Sequence, residues 1–180
     1  MKVLVSIAIV FLATSALAQA PKNDSTGQGY VFVAPGVGNI GPAREFGRKS
    51  GSIHMGAGGE AFIYRGLGIG VEIGAVGPGS ATVPQRSRST YSFGFSDYVV
   101  GLGSANLSYH FLPSTTDRKL EPFLTAGYSL FFRAGISHGY NVGGGLNVWL
   151  DKTVGTRFEI RDQESWYRET LSFRIGVTFR

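Results

Sequence analysis

Strict alternation of apolar and polar residues is the feature that most constrains the fold of this chain. From Leu171 to Phe179 every odd-numbered residue is large and apolar, while the even-numbered residues from Ser172 to Arg180 are polar, charged or glycine. Successive side chains of a β-strand point to opposite faces, so this segment makes a strand with one apolar and one polar face. The pattern recurs and predicts eight strands, at about residues 30–40, 52–64, 67–75, 97–111, 121–133, 140–150, 154–161 and 171–180.

The first eighteen residues are typical of a secretion signal peptide. Lys2 precedes an apolar run that ends at Ala13, and Ala16-Leu17-Ala18 has the spacing of an A-x-A cleavage site. An uncleaved membrane anchor is the alternative, but the apolar run is shorter than the ~20 residues that a helical span needs. We therefore expect a signal peptide over residues 1–18, a flexible segment over residues 19–28 and one β-barrel domain over residues 29–180.

The polar faces of the predicted strands indicate whether the apolar face of the sheet lies against lipid or forms the core of a soluble protein. In the third strand Gly68, Gly70 and Gly74 alternate with large apolar residues. Glycine is a poor choice for a solvent-exposed strand surface, whereas in a narrow interior it leaves room for long side chains. The chain also has no cysteine with which a small exported domain could be cross-linked. We therefore predict an all-β, eight-stranded antiparallel up-and-down transmembrane β-barrel, with lipid outside and polar groups inside.

The connections between the predicted strands have two lengths. Links after the second, fourth and sixth strands are short, whereas those after the first and third, at about residues 41–51 and 79–96, are longer. Outer-membrane barrels have short periplasmic turns and longer outer loops. Tyr109, Phe111 and Phe179 fall on apolar faces near the predicted periplasmic ends, as in an interfacial aromatic girdle. Ordinary β-propensity is the alternative explanation for these aromatic residues.

These features together resemble one known family. The signal peptide, the eight amphipathic strands, the glycine-rich run from Tyr140 to Asn147 and the aromatic Phe179 are similar to those of small eight-stranded outer-membrane β-barrel proteins of the OmpA/OmpX type. The resemblance covers about residues 29–180 and implies a location in the cell outer membrane of a Gram-negative bacterium. It also implies contact with the barrel insertion machinery. Members usually finish on an aromatic residue, whereas here Arg180 follows Phe179.

A barrel of eight strands is just wide enough to be filled by its own side chains, so its inward charges must pair with one another. The short link around Arg65 predicts that Glu60 lies directly across from Glu72, and the Asp151-Lys152-Thr153 turn sets Arg157 beside Asn147 and Arg161 beside Gly143. We predict a structural charge cluster that fixes the strand register, with a proton or ion path as the alternative. Its members are Glu60, Glu72, Arg157, Glu159 and Arg174.

The predicted outer loops carry the remaining candidates for recognition. Five basic residues lie in the first two loops, and arginine is suited to bidentate contact with phosphorylated lipid such as lipopolysaccharide. An aromatic pair in the fourth loop is a candidate interfacial anchor or contact patch. The alternative for all of them is an ordinary solvated loop. The candidate outer-loop contacts are Arg44, Arg48, Lys49, Arg86, Arg88, Trp166 and Tyr167.

Three motifs resemble parts of known catalytic or cofactor-binding sites, and none supports an enzyme. The run Gly36–Gly41 matches G-x-G-x-x-G, but Pro42 follows it and no helical pattern comes after. His54 and His110 lack partners at metal-ligand spacing and are predicted to cap the polar interior. Ser137 and His138 are adjacent, so on a strand they point to opposite faces. We expect no catalytic residue, cofactor or metal.

The sequence thus predicts a non-enzymatic membrane barrel with a structural or surface-interaction role through its outer loops. Expected partners are outer-membrane lipids and lipopolysaccharide, while any extracellular partner is unknown. The formal net charge of +5 does not by itself indicate a nucleic-acid-binding protein, and export argues against one. Three alternatives remain: a conduit for small apolar molecules through a wall loosened at Pro35, Gly101 and Gly103, a lipid A acyl hydrolase, and a soluble periplasmic barrel of lipocalin type.

Overall fold

The computed structural model of the protein describes residues 26–39, 49–79, 99–111, 119–133, 135–165 and 168–180. The predicted signal peptide, most of the predicted flexible segment and the centres of the first two outer loops lie outside these residues. The described chain forms eight strands. They are β1 (Gly27–Gly38), β2 (Ser50–Tyr64), β3 (Leu67–Pro78), β4 (Val100–His110), β5 (Leu120–Phe132), β6 (Ile136–Trp149), β7 (Val154–Ser165) and β8 (Arg168–Phe179).

All eight strands belong to one closed antiparallel sheet. Each strand pairs with the next in sequence, and β1 pairs with β8 to close the barrel. The predicted fold class is therefore confirmed. Closure leaves no unpaired sheet edge, so a cysteine-free chain is held together by a continuous backbone hydrogen-bond network. In the part of the chain that the structure describes, no helix is long and apolar enough to cross a membrane.

The two faces of the barrel wall differ in the sense predicted from the alternation. Outward residues are large and apolar, and Ile73 and Val71 keep 73% and 67% of their surface exposed. Inward residues include charged side chains that are almost completely buried, such as Glu72 and Arg161 at 4% and 0% exposure. Such an arrangement is the reverse of a water-soluble protein, in which charged groups face solvent and apolar groups are buried.

The connection between β2 and β3 shifts the predicted register. Arg65 and Gly66 both have positive φ, which is typical of a two-residue type I′ hairpin turn. The register shifts between Phe62 and Tyr64, so that Glu60 pairs with Gly70. Glu72 pairs instead with Gly58. The prediction that the two carboxylates lie directly opposite each other is therefore wrong, because the two-residue turn pairs Tyr64 with Leu67 and the irregularity beside it moves the ladder by one more residue.

The connection between β6 and β7 follows its prediction. Asn147 pairs with Arg157 and Gly143 pairs with Arg161. The Asp151 carboxylate accepts hydrogen bonds from the backbone amides of Thr153 and Val154, each at 2.7 Å. A side chain that caps its own turn in this way fixes the geometry of the link, and here the counted register is correct.

Strand β1 differs from its prediction in two respects. It begins at Gly27, and Gln28 is buried inside the barrel at 5% exposure, so the end of the predicted flexible segment belongs to the wall. The loosening predicted at Pro35 is slight, because the pairing of Pro35 with β2 is continuous and the register of β1 with β8 is the same on both sides of it. The β8 ladder only lapses between Val33 and Gly36, because proline has no amide hydrogen to donate.

The interior changes character along the barrel. At the outer end, where β3 finishes and β4 begins, a buried apolar cluster that we call the outer cap consists of Val76, Val100, Leu102 and Phe131. Below it most inward side chains are polar or charged, and buried aromatic residues such as Phe32 and Phe123 lie among them. Glycine makes room for the larger ones: a Cβ on Gly58 would lie 2.6 Å from the Tyr30 ring.

Candidate functional site

The barrel interior below the outer cap contains a chain of ion pairs and hydrogen bonds, which we call the lumen network. Six strands contribute to it, so it connects opposite sides of the wall. Its members are His54 and Glu60 from β2, Glu72 from β3, His110 from β4, Glu121 from β5, Arg157, Glu159 and Arg161 from β7, and Arg174 from β8. Every one of these residues is buried.

The end of the lumen network at the predicted periplasmic side of the barrel is built around His110. Its Nδ1 lies 2.5 Å from Glu121 Oε1, and its Nε2 lies 3.2 Å from Glu60 Oε2. Glu121 also accepts a 2.7 Å hydrogen bond from the indole N–H of Trp149. Both ring nitrogens of His110 therefore face carboxylate oxygens, Nε2 in a hydrogen bond with Glu60 and Nδ1 in a close contact with Glu121.

In the middle of the network, positively and negatively charged side chains alternate along β7. Arg157 contacts Glu60 through Nη1 and Glu159 through Nε, both at 3.2 Å. Arg161 donates to the other oxygen of Glu159 and reaches Glu72 at 3.3 Å. Residues 157, 159 and 161 share the inward face because a strand repeats every second residue. This spacing places Glu159 between two guanidinium groups.

The outer end of the network is formed by Glu72, Arg174 and His54. Arg174 Nη1 lies 2.7 Å from Glu72 Oε2, which also accepts a hydrogen bond from the Tyr30 hydroxyl at 3.2 Å. Arg174 Nη2 lies 3.3 Å from Nδ1 of His54. A ring nitrogen that faces a guanidinium group must be an acceptor, so His54 meets Arg174 as the neutral ring.

Aromatic rings cover the faces of the buried guanidinium groups. Arg157 lies 3.9 Å above the Phe123 ring and 4.3 Å from that of Tyr30, and Arg174 lies 4.2 Å from the Phe32 ring. A guanidinium group donates hydrogen bonds only in its plane, so a ring over its face supplies a cation–π contact where no hydrogen bond is available. The inward aromatic residues therefore help to stabilise the buried positive charges.

The carboxylates of the lumen network face guanidinium groups in equal number once Arg180 is included, since its Nη2 lies 3.7 Å from Glu121 Oε2. The carboxylates of Glu60, Glu72, Glu121 and Glu159 thus face four guanidinium groups, and His110 lies between two of them. An unpaired buried charge is very costly, whereas a paired and hydrogen-bonded one is tolerated. The arrangement fills and cross-links the barrel, and its members are too deeply buried to meet a diffusing substrate.

The structure brings together all five residues of the predicted charge cluster and adds members that sequence reasoning missed. His110 was expected only as a cap, and Glu121 was not singled out. Both lie next to predicted strand ends, where few alternating residues remain and the pattern does not indicate which side chains meet. Arg161 was predicted to face inward, but its contacts with Glu72 and Glu159 depend on the stagger of strands across the barrel.

Six of the seven predicted outer-loop contacts lie outside the described residues. They are Arg44, Arg48, Arg86, Arg88, Trp166 and Tyr167. Lys49 is described, and its ammonium group lies 3.1 Å from Glu169 Oε1 in an exposed ion pair. This pair joins the start of β2 to the start of β8 across the end of β1. A solvent-exposed pair contributes little to stability.

Ser137 and His138 do not form a catalytic pair. Ser137 pairs with the buried Phe131 on the inward side, while His138 points outward, where its Nδ1 and the Tyr128 hydroxyl lie 2.5 Å apart. Nucleophilic catalysis needs the hydroxyl and the imidazole within hydrogen-bond reach. Among the described residues, no group of three or more histidine, cysteine or acidic side chains could hold a metal ion.

Comparison with known proteins supports the fold. Neither a protein-family model nor a curated protein sequence matches the chain. Among solved structures, neisserial surface protein A is similar with a TM-score of 0.62 and 13% identity, over 86% of this chain and 97% of that one. The N-terminal β-barrel domain of Pseudomonas aeruginosa OprF has a TM-score of 0.50 and 15% identity, over 85% and 98% of the two chains.

A designed protein gives the same result. A de novo designed transmembrane β-barrel has a TM-score of 0.51 and 14% identity, over 89% of this chain and 98% of that one. At these identities a likeness establishes the fold and nothing finer. The chain therefore has the fold of the small transmembrane β-barrels.

Proposed function

We propose that this chain is a non-enzymatic integral protein of the bacterial outer membrane, of the OmpA/OmpX type, with a structural or surface-interaction role carried by its outer loops. The observation that carries the proposal is the inversion of the wall. Ile73, Val71 and Ile160 expose more than half of their surface, at 73%, 67% and 58%, while Arg161 and Arg174 are buried at 0% and 1%. Hydrocarbon is the solvent in which that distribution is stable.

The lumen network supports a structural role for the interior rather than transport. Each of its charged groups contacts an opposite charge or a hydrogen-bond partner inside the barrel, and the outer cap adds four buried apolar side chains from β3, β4 and β5. Water and ions would have to break paired charges and then pass apolar groups. In this account the interior fixes the register and the outer loops carry specificity.

The basic residues of the first two loops indicate which chemical groups the outer loops would bind. We propose phosphate groups of lipopolysaccharide as partners of Arg44, Arg48, Lys49, Arg86 and Arg88, since arginine binds phosphate through two parallel hydrogen bonds. The aromatic pair Trp166 and Tyr167 is suited to an interfacial anchor. Replacing the arginines by glutamine should weaken binding to lipopolysaccharide. Equal binding would restrict these residues to ordinary loop roles.

The membrane location is tested by fractionation of cells that express the full chain. We expect the mature protein in the outer-membrane fraction, soluble only with detergent, and migrating differently on a gel before and after boiling. A soluble periplasmic barrel of lipocalin type would instead be recovered as a detergent-free monomer. That result would overturn the proposal.

The structure weakens the alternative of a lateral conduit. The expected loosening at Gly101 and Gly103 is absent, because both residues pair in register with β3 and with β5. The lapse beside Pro35 affects one ladder for two residues. Uptake of small apolar molecules into liposomes that contain the protein would revive the alternative.

A further inference from the structure

We propose that the predicted periplasmic end of the barrel binds anionic phospholipid headgroups through three exposed cations, which we call the basic collar. Its members are Arg65 in the β2–β3 turn, Lys119 directly before β5 and Lys152 in the β6–β7 turn. All three residues are exposed. The inference rests on the membrane location proposed above.

The strand order brings the three cations to the same end of the barrel. The pairs β2–β3, β4–β5 and β6–β7 are alternate hairpins of one closed antiparallel sheet, so their turns lie on the same side of the membrane. The carbonyl of Lys119 accepts a 2.7 Å hydrogen bond from the Trp149 amide, which holds it level with the end of β6. The collar therefore occupies three of the four corners of this rim, and β8 meets β1 at the fourth. Cations spaced around a rim are suited to several separate headgroups.

The collar cations are available to an external partner. Among the residues that the structure describes, none of the three takes part in an ion pair, whereas Lys49 at the outer rim pairs with Glu169 at 3.1 Å. Asp151 is the acidic neighbour of Lys152, but its carboxylate accepts hydrogen bonds from two amides of its own turn. Exposed cations of this kind are attracted to a negatively charged surface within about one Debye length.

Apolar and aromatic neighbours place the collar at the level of lipid headgroups. Each cation lies within two residues of a large side chain that is more than half exposed. These side chains are Tyr64, Leu120 and Leu150, at 56%, 53% and 69% exposure. The guanidinium group of Arg65 lies 5.3 Å from the centre of the Tyr64 ring. A cation beside such a residue at the edge of a lipid-facing belt extends its charged group to the membrane surface, and this position favours phospholipid over a soluble partner.

Charge selects anionic headgroups from zwitterionic ones. Phosphatidylglycerol carries a net negative charge, whereas the ammonium group of phosphatidylcholine neutralises its phosphate. A lysine or arginine near an anionic membrane surface strengthens the interaction by about fivefold. Arg65 is suited to bidentate contact with phosphate, while Lys119 and Lys152 act as point charges. The collar lies at the end opposite the outer loops, so this binding is separate from the contacts with lipopolysaccharide proposed above.

Fluorescence quenching in liposomes tests which lipid is enriched around the collar. The full mature chain carries a fluorophore at Leu150→Cys, in phosphatidylcholine bilayers with a small fraction of nitroxide-labelled phosphatidylglycerol or phosphatidylcholine. We expect labelled phosphatidylglycerol to quench as though its local concentration were about fivefold above that of the bulk bilayer. Labelled phosphatidylcholine should show no enrichment. High salt should remove the enrichment of phosphatidylglycerol, because the cations are exposed.

Substitution assigns the enrichment to the collar. Replacing Arg65, Lys119 and Lys152 together by glutamine should abolish the enrichment of phosphatidylglycerol, and Lys152→Gln alone should reduce it. Arg133→Gln removes an exposed cation at the outer end of β5 and is the matched control, which should quench as wild type. A gel shift on boiling verifies that each variant has folded.

The outcomes separate the inference from the proposed location. Equal quenching by the two lipids, or an enrichment that survives the triple substitution, would overturn the inference and leave the membrane location intact. Equal quenching together with collar-dependent binding of a soluble acidic cell-wall glycopeptide would assign the collar to the cell wall instead. A chain that stays monomeric without detergent and does not enter liposomes would overturn the proposed location, and the inference with it.

Discussion

The lumen network and the outer cap fill the same barrel by different means. In the network each side chain has particular partners, so that Arg161 touches Glu159 and Glu72. In the outer cap, Leu102 and Phe131 need only apolar neighbours of the right volume. Loss of one partner of a buried ion pair is strongly destabilising, because it leaves an unpaired charge in the interior. Apolar packing tolerates exchange between residues of similar volume but is destabilised when volume is lost. The two halves should therefore respond differently to substitution.

The largest effect is expected at the centre of the lumen network. Arg161→Met removes the cation that lies between Glu159 and Glu72, and should lower the free energy of unfolding by about 3–5 kcal/mol because buried carboxylates lose a partner. Denaturant unfolding in detergent, followed by tryptophan fluorescence, measures the change. Lys152→Met, in an exposed periplasmic turn, is the matched control and should leave the midpoint unchanged. An unaltered midpoint for Arg161→Met would remove the distinction between the two halves.

Substitution in the outer cap sharpens the comparison. Leu102→Ala should cost about 2–4 kcal/mol, because the apolar cluster loses volume and a cavity remains. Leu102→Met, which conserves volume, should cost less than about 1.5 kcal/mol. The same unfolding assay applies. If the methionine variant were as unstable as the alanine variant, the cap would depend on specific contacts after all.

A smaller effect is expected at His110, which joins two carboxylates at the periplasmic end. His110→Phe keeps an aromatic ring between Phe62 and Phe123, with which His110 now packs at 4.9 Å and 5.4 Å between centroids. It removes the hydrogen bond to Glu60 and the polar contact with Glu121, and should lower the free energy of unfolding by about 1–3 kcal/mol. Combining it with Glu121→Gln should cost less than the sum of the two single changes. Strict additivity would show that the two residues do not interact.

The smallest effect is expected outside the barrel, in the turn between β6 and β7. Hydrogen bonds from the amide groups of Thr153 and Val154 hold the pKa of Asp151 below its ordinary value. Its stabilising contribution is therefore complete above the ordinary aspartate pKa and disappears as pH falls through the lowered one. Asp151→Ala should unfold slightly earlier than wild type at neutral pH, with a gap that closes in strong acid. A gap that does not depend on pH would exclude this origin.

The sequence predicted the sidedness of the wall because alternation is a local property. Glu72 inside and Ile73 outside follow from a period of two residues, and the turn at Asp151 is short enough to count the pairing of Asn147 with Arg157. The register at Glu60 could not be counted, because the irregularity between Phe62 and Tyr64 has no clear sequence signal.

The partners of the lumen network were harder to predict than its members. His110 meets Glu60 and Glu121 because three strands stagger so that these side chains lie at one height. That stagger depends on the shear of the closed barrel, which no local pattern encodes. The outer cap was missed for a related reason: alternation along β5 places Phe132 outward and Phe131 inward, but it does not show that Phe131 meets Val76 and Leu102 at one height.

The central claim is that lipid covers the apolar face while charges are sealed inside, and spin-label accessibility tests it most directly. The chain has no cysteine, so single labels at Ile73→Cys on the wall and Leu150→Cys in a periplasmic turn have no background. In bilayers, the account predicts that the label at position 73 collides with oxygen and is shielded from a water-soluble nickel chelate. The label at position 150 should show the opposite preference. Free access of the chelate to position 73 in folded protein would contradict the account.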